Sequence, residues 1–182
     1  MTDELEIERR WRVEHPLSIE AIEHIVSNAK DIEYISQSYM KSSTDKDTER
    51  VREVSHDFFG TNKTYWHTKK TLIENGVNRE VENQITKEQY DKFLERADPK
   101  KDPISKVRYT FDYNGQDFEL DIFPKRKGMI ILELELESKQ QKVELPPWLE
   151  ITKEVTEEKQ YSNYRLADKD WAEMGPVVQD SK

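Results

Sequence analysis

Apolar and charged residues alternate along most of the chain with a period of two, the spacing of a β-strand whose successive side chains point to opposite faces. In "MIILELELE" (129–137), Ile130, Leu132, Leu134 and Leu136 share one face, while Ile131, Glu133, Glu135 and Glu137 share the other. "QDFELDIF" sets Phe118, Leu120 and Ile122 against Asp117, Glu119 and Asp121, and "ELEIERRWRV" sets Leu5, Ile7 and Arg9 against Glu4, Glu6, Glu8 and Arg10. Val51 stands between Arg50 and Arg52, Val81 between Glu80 and Glu82, and Val107 between Lys106 and Arg108. With "EYISQSYM" and "KTYWHTKK" the pattern predicts about eight strands, mostly antiparallel neighbours.

The turns support that reading. Asn75-Gly76 and Asn114-Gly115 each separate two alternating runs, as the dipeptides of type I′ hairpins do. Gly60-Thr61-Asn62 and the "KRKG" at 125–128 turn two further pairs. Helical spacing is rare. Ser18 caps a helix with Ile19, Ile22, Ile25 and Val26 on one stripe, and Thr86 caps a second with Tyr90, Phe93 and Leu94 on one stripe. A third, less regular segment is expected from about Lys139, broken at Pro146-Pro147.

Composition sharpens the picture. Only 34% of the 182 residues are hydrophobic and 37% are charged, so either the interior is thin or charge points inward. The length suits one domain, expected over residues 1–167, with a polar tail at 168–182 that Trp171 pins. The absence of cysteine excludes disulfides and thiolate metal sites and fits a reducing compartment. No apolar run is long enough to span a bilayer, and the acidic start is no signal peptide; the expectation is a cytoplasmic protein without membrane contact. A net charge of -9 repels nucleic acid, so any polyanion must meet a local basic cluster.

Solvated sheet faces normally mix neutral and charged polar residues, whereas here carboxylates group on some strands and cations on others, at i and i+2. Eight such strands can close into a barrel. The expected fold is therefore α+β: an eight-stranded antiparallel β-barrel with helices on its apolar outside and charge lining its inside. Tyr39, Tyr65, Trp66 and Phe58, which could stack a nucleobase, are expected in the core, and Trp11 and Trp148 are expected to pack helices on the barrel. His15, His24, His56 and His67 show no paired ligand spacing, and no Walker loop, G-x-G-x-x-G, G-x-S-x-G or zinc motif occurs.

The ordered set Glu6-x-Glu8-x-Arg10, "RVR" (50–52), "TKK" (68–70), "EVE" (80–82), "KVRY" (106–109), "ELELE" (133–137), "ELPPWL" (144–149) and "EVTEEKQYSNYRLA" (154–167) resembles the CYTH family of triphosphate tunnel metalloenzymes. The resemblance implies a tunnel that binds a triphosphate and uses Mg2+ or Mn2+. It places Glu6, Glu8, Asp121, Glu133 and Glu135 at the metal and Arg10, Arg50, Arg52, Lys70, Lys106 and Arg108 on phosphate oxygens. Glu80, Glu82 and Glu119 fall at further acidic tunnel positions. Arg10 stands where the motif usually has lysine. Gln160 stands where a basic residue commonly precedes the tyrosine, here Tyr161, with Asn163 following.

The chemistry accounts for such a set. A tripolyphosphate carries about four to five charges near neutrality and needs cations on several sides when buried. Carboxylates cannot ligate phosphate, and their grouping calls for a hard divalent ion. Such an ion bridges phosphate oxygens, and a second can lower the pKa of the attacking water, which Glu8 or Glu135 would orient while Lys106 and Arg108 neutralise charge. The expected activity is hydrolysis of inorganic tripolyphosphate to diphosphate and phosphate by a monomer or homodimer. The alternatives are a class IV-type adenylyl cyclase or a non-catalytic nucleotide or polyphosphate binder.

Overall fold

A computed structural model describes residues 2–42, 44 and 46–171, without the side chains of residues 2–4. The side chain of Glu4 and the tail from residue 172 onward thus lie outside the described residues. In chain order the elements are β1 (Thr2–Val13), α1 (Ile19–Asn28), β2 (Ala29–Tyr39), β3 (Asp47–Ser55), β4 (Lys63–Glu74), β5 (Val77–Ile85), α2 (Lys87–Leu94), β6 (Ile104–Tyr113), β7 (Gln116–Phe123), β8 (Met129–Glu135) and β9 (Ile151–Glu154). A 3-10 turn (Lys159–Tyr161) and α3 (Asn163–Leu166) follow.

Eight strands close on themselves in the order β5-β4-β3-β2-β6-β7-β8-β1, with β1 pairing back to β5. β1 makes the closure by changing partners. Its residues Thr2 to Ile7 pair with β5, and Glu8 to Val13 pair with β8. Past the end of β5, the short β9 takes over that edge of β1 from Trp11 to Val13, a ninth strand that alternation in the sequence did not announce. All pairings are antiparallel.

One turn and one helical segment differ from expectation. Asn114 and Gly115 both take positive φ, as a type I′ hairpin requires, but at Asn75-Gly76 only the glycine does. A register shift between Leu72 and Glu74 supplies the twist there instead. Gly76 is also where backbones meet closely: its carbonyl accepts from the Glu8 amide at 3.0 Å, and an added Cβ would lie 3.2 Å from the Glu8 oxygen. The segment from Lys139 to Glu150 forms turns, not a helix.

The outward faces form two apolar layers. Trp11, Phe111, Phe118, Leu120, Leu132 and Leu134 pack under α1 and Leu149, with Trp148 resting on Phe111 and stacked on His24. α2, closed by a capping box between Thr86 and Gln89, covers Met40 and Val51 with Tyr90. α1 has the expected Ser18 cap, but it buries Ala21 and Ile25 and leaves Ile19, Ile22 and Val26 exposed. The helix runs without a loop into β2, so the strand fixes its rotation, and the face it turns inward is narrower than the apolar stripe.

The inward faces change character along each strand. Ile104, Phe123, Met129 and Ile131 fill one end of the barrel together with Tyr39 and a plug from the C-terminal segment: Val155, Tyr161, Leu166, Ala167 and Trp171. The start of the expected tail is part of this plug, because Trp171 is buried and Asp168 pairs with Lys101 at 2.6 Å. Next along the same strands comes charge. Asp121 accepts from Lys106 at 2.5 Å and from two nitrogens of Arg108 at 2.7 Å, all three side chains being buried.

Burial alone would raise the Asp121 carboxyl; Arg108 and Lys106 reverse that and hold it well below the carboxylate range. Its contribution to stability is thus fully present above the ordinary aspartate value of about 4 and is lost as pH falls toward the folded-state value. Asp121→Asn, which leaves two buried cations short of a partner, is expected to cost about 3 kcal/mol in urea unfolding, and a loss below about 1 kcal/mol would contradict the network's role. For α1, Ile25→Ala should cost about 2–4 kcal/mol, whereas Ile19→Gln should stay within about 0.5 kcal/mol; equal costs would mean the helix is rotated.

Candidate active site

Beyond the apolar plug the barrel encloses a cavity of about 290 Å3. β1 contributes Glu6, Glu8 and Arg10; β3 contributes Thr48 and Arg50; β4 contributes Lys70; β6, β7 and β8 contribute Arg108, Glu119, Glu133 and Glu135. The alternation seen in the sequence is the cause, since residues at i and i+2 of each strand project to the same side. Seven basic and six acidic side chains line the cavity, so a chain of strongly negative net charge holds a slightly cationic interior.

The carboxylates and cations interlock. Lys70 Nζ lies 2.5 Å from Glu6, 3.3 Å from Glu80 and 3.9 Å from Glu8. Arg108 reaches Glu133 at 2.9 Å and also pairs with Glu119. Glu8 and Glu135 are direct cross-strand partners on β1 and β8, an arrangement of like charges that opposes pairing unless a cation lies between them. Burial raises Glu6 to about 7, an effect that Lys70 only partly offsets and that Glu8 and Glu80 add to. Burial acts on Glu8 in the same sense, yet Lys70, Arg10, Arg50 and Arg108 together hold it below the ordinary carboxylate range. Burial raises Glu133 as well, with Asp121 adding to the effect.

Three guanidinium Nε groups, of Arg10, Arg50 and Arg52, are buried with no hydrogen-bond acceptor. Buried donors are rarely left so, and an anion with several oxygens in the cavity would satisfy that of Arg50, which lines it.

The sequence-predicted residues divide into two groups. Glu6, Glu8, Arg10, Arg50, Lys70, Arg108, Glu119, Glu133 and Glu135 meet at the cavity. Arg52, Lys106, Glu80, Glu82 and Asp121 are not part of its lining. Arg52 pairs with Glu82 at 2.5 Å, and Thr68 donates to the same carboxylate. Lys106, brought down to about 8 by burial beside Arg108, is spent on Asp121. Asp121, which the resemblance places at the metal, is fully buried and accepts from Lys106 and Arg108 through both of its oxygens.

Near the C-terminus, Gln160 bonds Glu158 outside the cavity and Tyr161 belongs to the plug, while Lys159, Asn163 and Arg165 line the wall. Lys46, Thr156 and Ser162, outside the strands, and the neutral strand residues Thr48 and Asn78 also line it and were not anticipated, because loop residues carry no periodicity and the charge pattern passes over neutral ones. The basic residue expected just before Tyr161 is present two positions earlier, at Lys159.

The donor set suits a hard divalent ion. Glu6, Glu8, Glu133 and Glu135 offer only oxygen ligands on two adjacent strands, and Mg2+ or Mn2+ complete such shells with water and phosphate. Among the described residues, the group whose ligand atoms already lie within 4.8 Å of one another is a different one, Asp31, Glu33 and His56, outside the cavity wall. No helix of the described residues is long and apolar enough to cross a membrane.

No family model matches the chain. It is 31% identical over 138 residues to the inorganic triphosphatase of Nitrosomonas europaea, covering 73% of this chain and 83% of that protein. The crystal structure of the inorganic triphosphatase NE1496 is similar with a TM-score of 0.53 and 27% identity, over 89% of this chain and 93% of that one. A candidate adenylate cyclase from Bacillus halodurans shares the fold at a TM-score of 0.60 and 17% identity, over 77% of this chain and 84% of its own. With that degree of relatedness resting on a closed antiparallel barrel lined by charge, the chain belongs to the CYTH family of triphosphate tunnel metalloenzymes.

Proposed function

We propose that this protein is a divalent-metal-dependent triphosphatase that hydrolyses inorganic tripolyphosphate to diphosphate and phosphate. The observation that carries the reading is the facing pair Glu8 and Glu135 set inside a ring of Arg10, Arg50, Lys70 and Arg108. Cations alone would suffice to bind a polyanion; opposed carboxylates beside them make sense when a metal joins the two sets. The similarity to inorganic triphosphatases supports the choice of reaction.

In this reading Arg50, Lys70 and Arg108 hold the phosphate oxygens, and Glu6, Glu8, Glu133 and Glu135 hold Mg2+ or Mn2+. The bound ion supplies charge neutralisation at phosphorus and a water of lowered pKa. Glu8, kept ionised by its four cationic neighbours, would orient an attacking water toward the terminal phosphorus, with Glu135 opposite. Water adds across the terminal phosphoanhydride and diphosphate leaves. Most of the rate comes from positioning and electrostatics, as is general for phosphoryl transfer. The cysteine-free composition is in keeping with a cytoplasmic setting.

Cyclase chemistry would need a platform for adenine, and the cavity wall provides little. Its aromatic lining residues are Tyr39 and Tyr164, packed edge to face against each other at 5.2 Å. Tyr65 lies against Tyr90 of α2, and Phe58, expected in the core, is instead largely exposed and meets Tyr34 edge-on away from the cavity.

Phosphorus NMR of the protein with tripolyphosphate and with ATP, each with Mg2+ or Mn2+, tests the assignment. Tripolyphosphate should give phosphate and diphosphate with ATP largely spared, whereas cyclic AMP would make the protein a cyclase. Glu8→Gln and Glu135→Gln should each lower kcat by about 100-fold or more with an unchanged thermal midpoint, and near-wild-type rates in both would remove the proposed site. Because Glu6 must lose its proton to bind metal, Mn2+ affinity in calorimetry should rise with pH up to about 7 and level off above it. A flat profile would show that Glu6 is not a ligand.

A further inference from the structure

Arg10 is 8% exposed and binds the C-terminal segment with main chain and side chain together. Its amide donates to Thr156 Oγ1 at 3.0 Å and its carbonyl accepts from the Val155 amide at 2.8 Å. Its Nη2 donates to the Thr156 carbonyl at 3.3 Å and its Nη1 to the Tyr161 carbonyl at 3.4 Å. Two of the three guanidinium nitrogens are thereby spent on backbone oxygens, and only Nε, 3.7 Å from Glu8, is left without a hydrogen bond.

The two carbonyls flank the turn that carries Lys159. This lysine lines the cavity, and no ion pair to its ammonium occurs among the described residues. Asn163, two residues beyond Tyr161, also lines the cavity, with its Oδ1 buried and without a hydrogen bond. The segment from Val155 to Arg165 thus presents polar groups to the cavity, yet β9 ends at Glu154 and no further strand ladder holds it. From β1, Arg10, on the same strand as Glu6 and Glu8, fixes it, while Lys101 holds the Tyr164 carbonyl at 2.8 Å near its far end.

We infer that Arg10 is a positioning residue: it clamps the 155–165 segment across the end of the tunnel and so holds Lys159 over the cavity as an additional phosphate ligand that sets substrate affinity. The inference rests on the triphosphatase reading for its ligand and on geometry alone for the clamp. The planar fork of the guanidinium spans two carbonyls; a lysine ammonium keeps the charge but cannot hold both in that geometry.

The test uses Arg10→Lys, Lys159→Ala and the double variant in the full-length protein. Without metal or substrate, hydrogen exchange in peptides covering 155–165 should quicken by about tenfold or more in Arg10→Lys while the barrel strands keep their protection. Unchanged exchange there overturns the clamp. With tripolyphosphate, each single variant should raise KM by about tenfold, with a smaller fall in kcat. The double variant should match Arg10→Lys to within about twofold, because the two residues act through one contact. Multiplying effects would mean that Arg10 meets phosphate independently of Lys159, and the inference would fail. Should Arg10→Lys unfold, Thr156→Val removes the hydroxyl that accepts from the Arg10 amide and should quicken the same exchange. If the protein proves to have no turnover, the exchange result still decides the clamp, and calorimetric binding of tripolyphosphate replaces KM in the comparison.

Discussion

The structure is governed by the cost of pointing charge into a closed barrel. Buried ions must be paired and hydrogen-bonded, and here the pairing is built by strand register: Arg108 stands opposite Asp121, and Lys70 opposite Glu80. Lys70 and Arg108 each reach three carboxylates and so tie the interior into a network. The same register sets Glu8 against Glu135 and Glu119 against Glu133, positions where like charges meet. Those like-charge pairs lie on the cavity wall, and the opposite-charge pairs Lys106–Asp121 and Arg52–Glu82 are not part of its lining. Stability and chemistry are thus divided between neighbouring positions of the same strands.

That division alters the roles of residues that look equivalent along the chain. Arg50 and Arg52 belong to one tripeptide on one face of β3, but only Arg50 meets the cavity. Asp121 and Glu119 share a face of β7; the first is fully buried between two cations and the second is half-exposed at the cavity. Depth along the barrel, which alternation does not encode, decides which inward residues line the cavity.

The C-terminal segment adds a second constraint. Tyr161, Leu166 and Trp171 complete the apolar filling of one barrel end, and without them Ile104, Phe123, Met129 and Ile131 would face an open lumen. The plug therefore belongs to the core, and its polar edge forms one wall of the cavity. Closing the barrel and shaping the binding space are a single structural act.

Alternation made the strands legible, along with which of their residues turn inward, because the period of a strand is a property of the backbone. Ser18 and Thr86 announced both longer helices, since a cap is a local hydrogen bond. The ordered glutamate and basic motifs announced the family and nine of the residues that converge on the cavity. Other features were left to the tertiary structure: the rotation of α1, the ninth strand, and the pairing of Asp121 with both Lys106 and Arg108. So were the wall residues Lys46, Thr156, Lys159 and Arg165. Each of these depends on how far along the barrel a residue sits or on what a distant segment brings to it, and such distances arise only when the sheet closes.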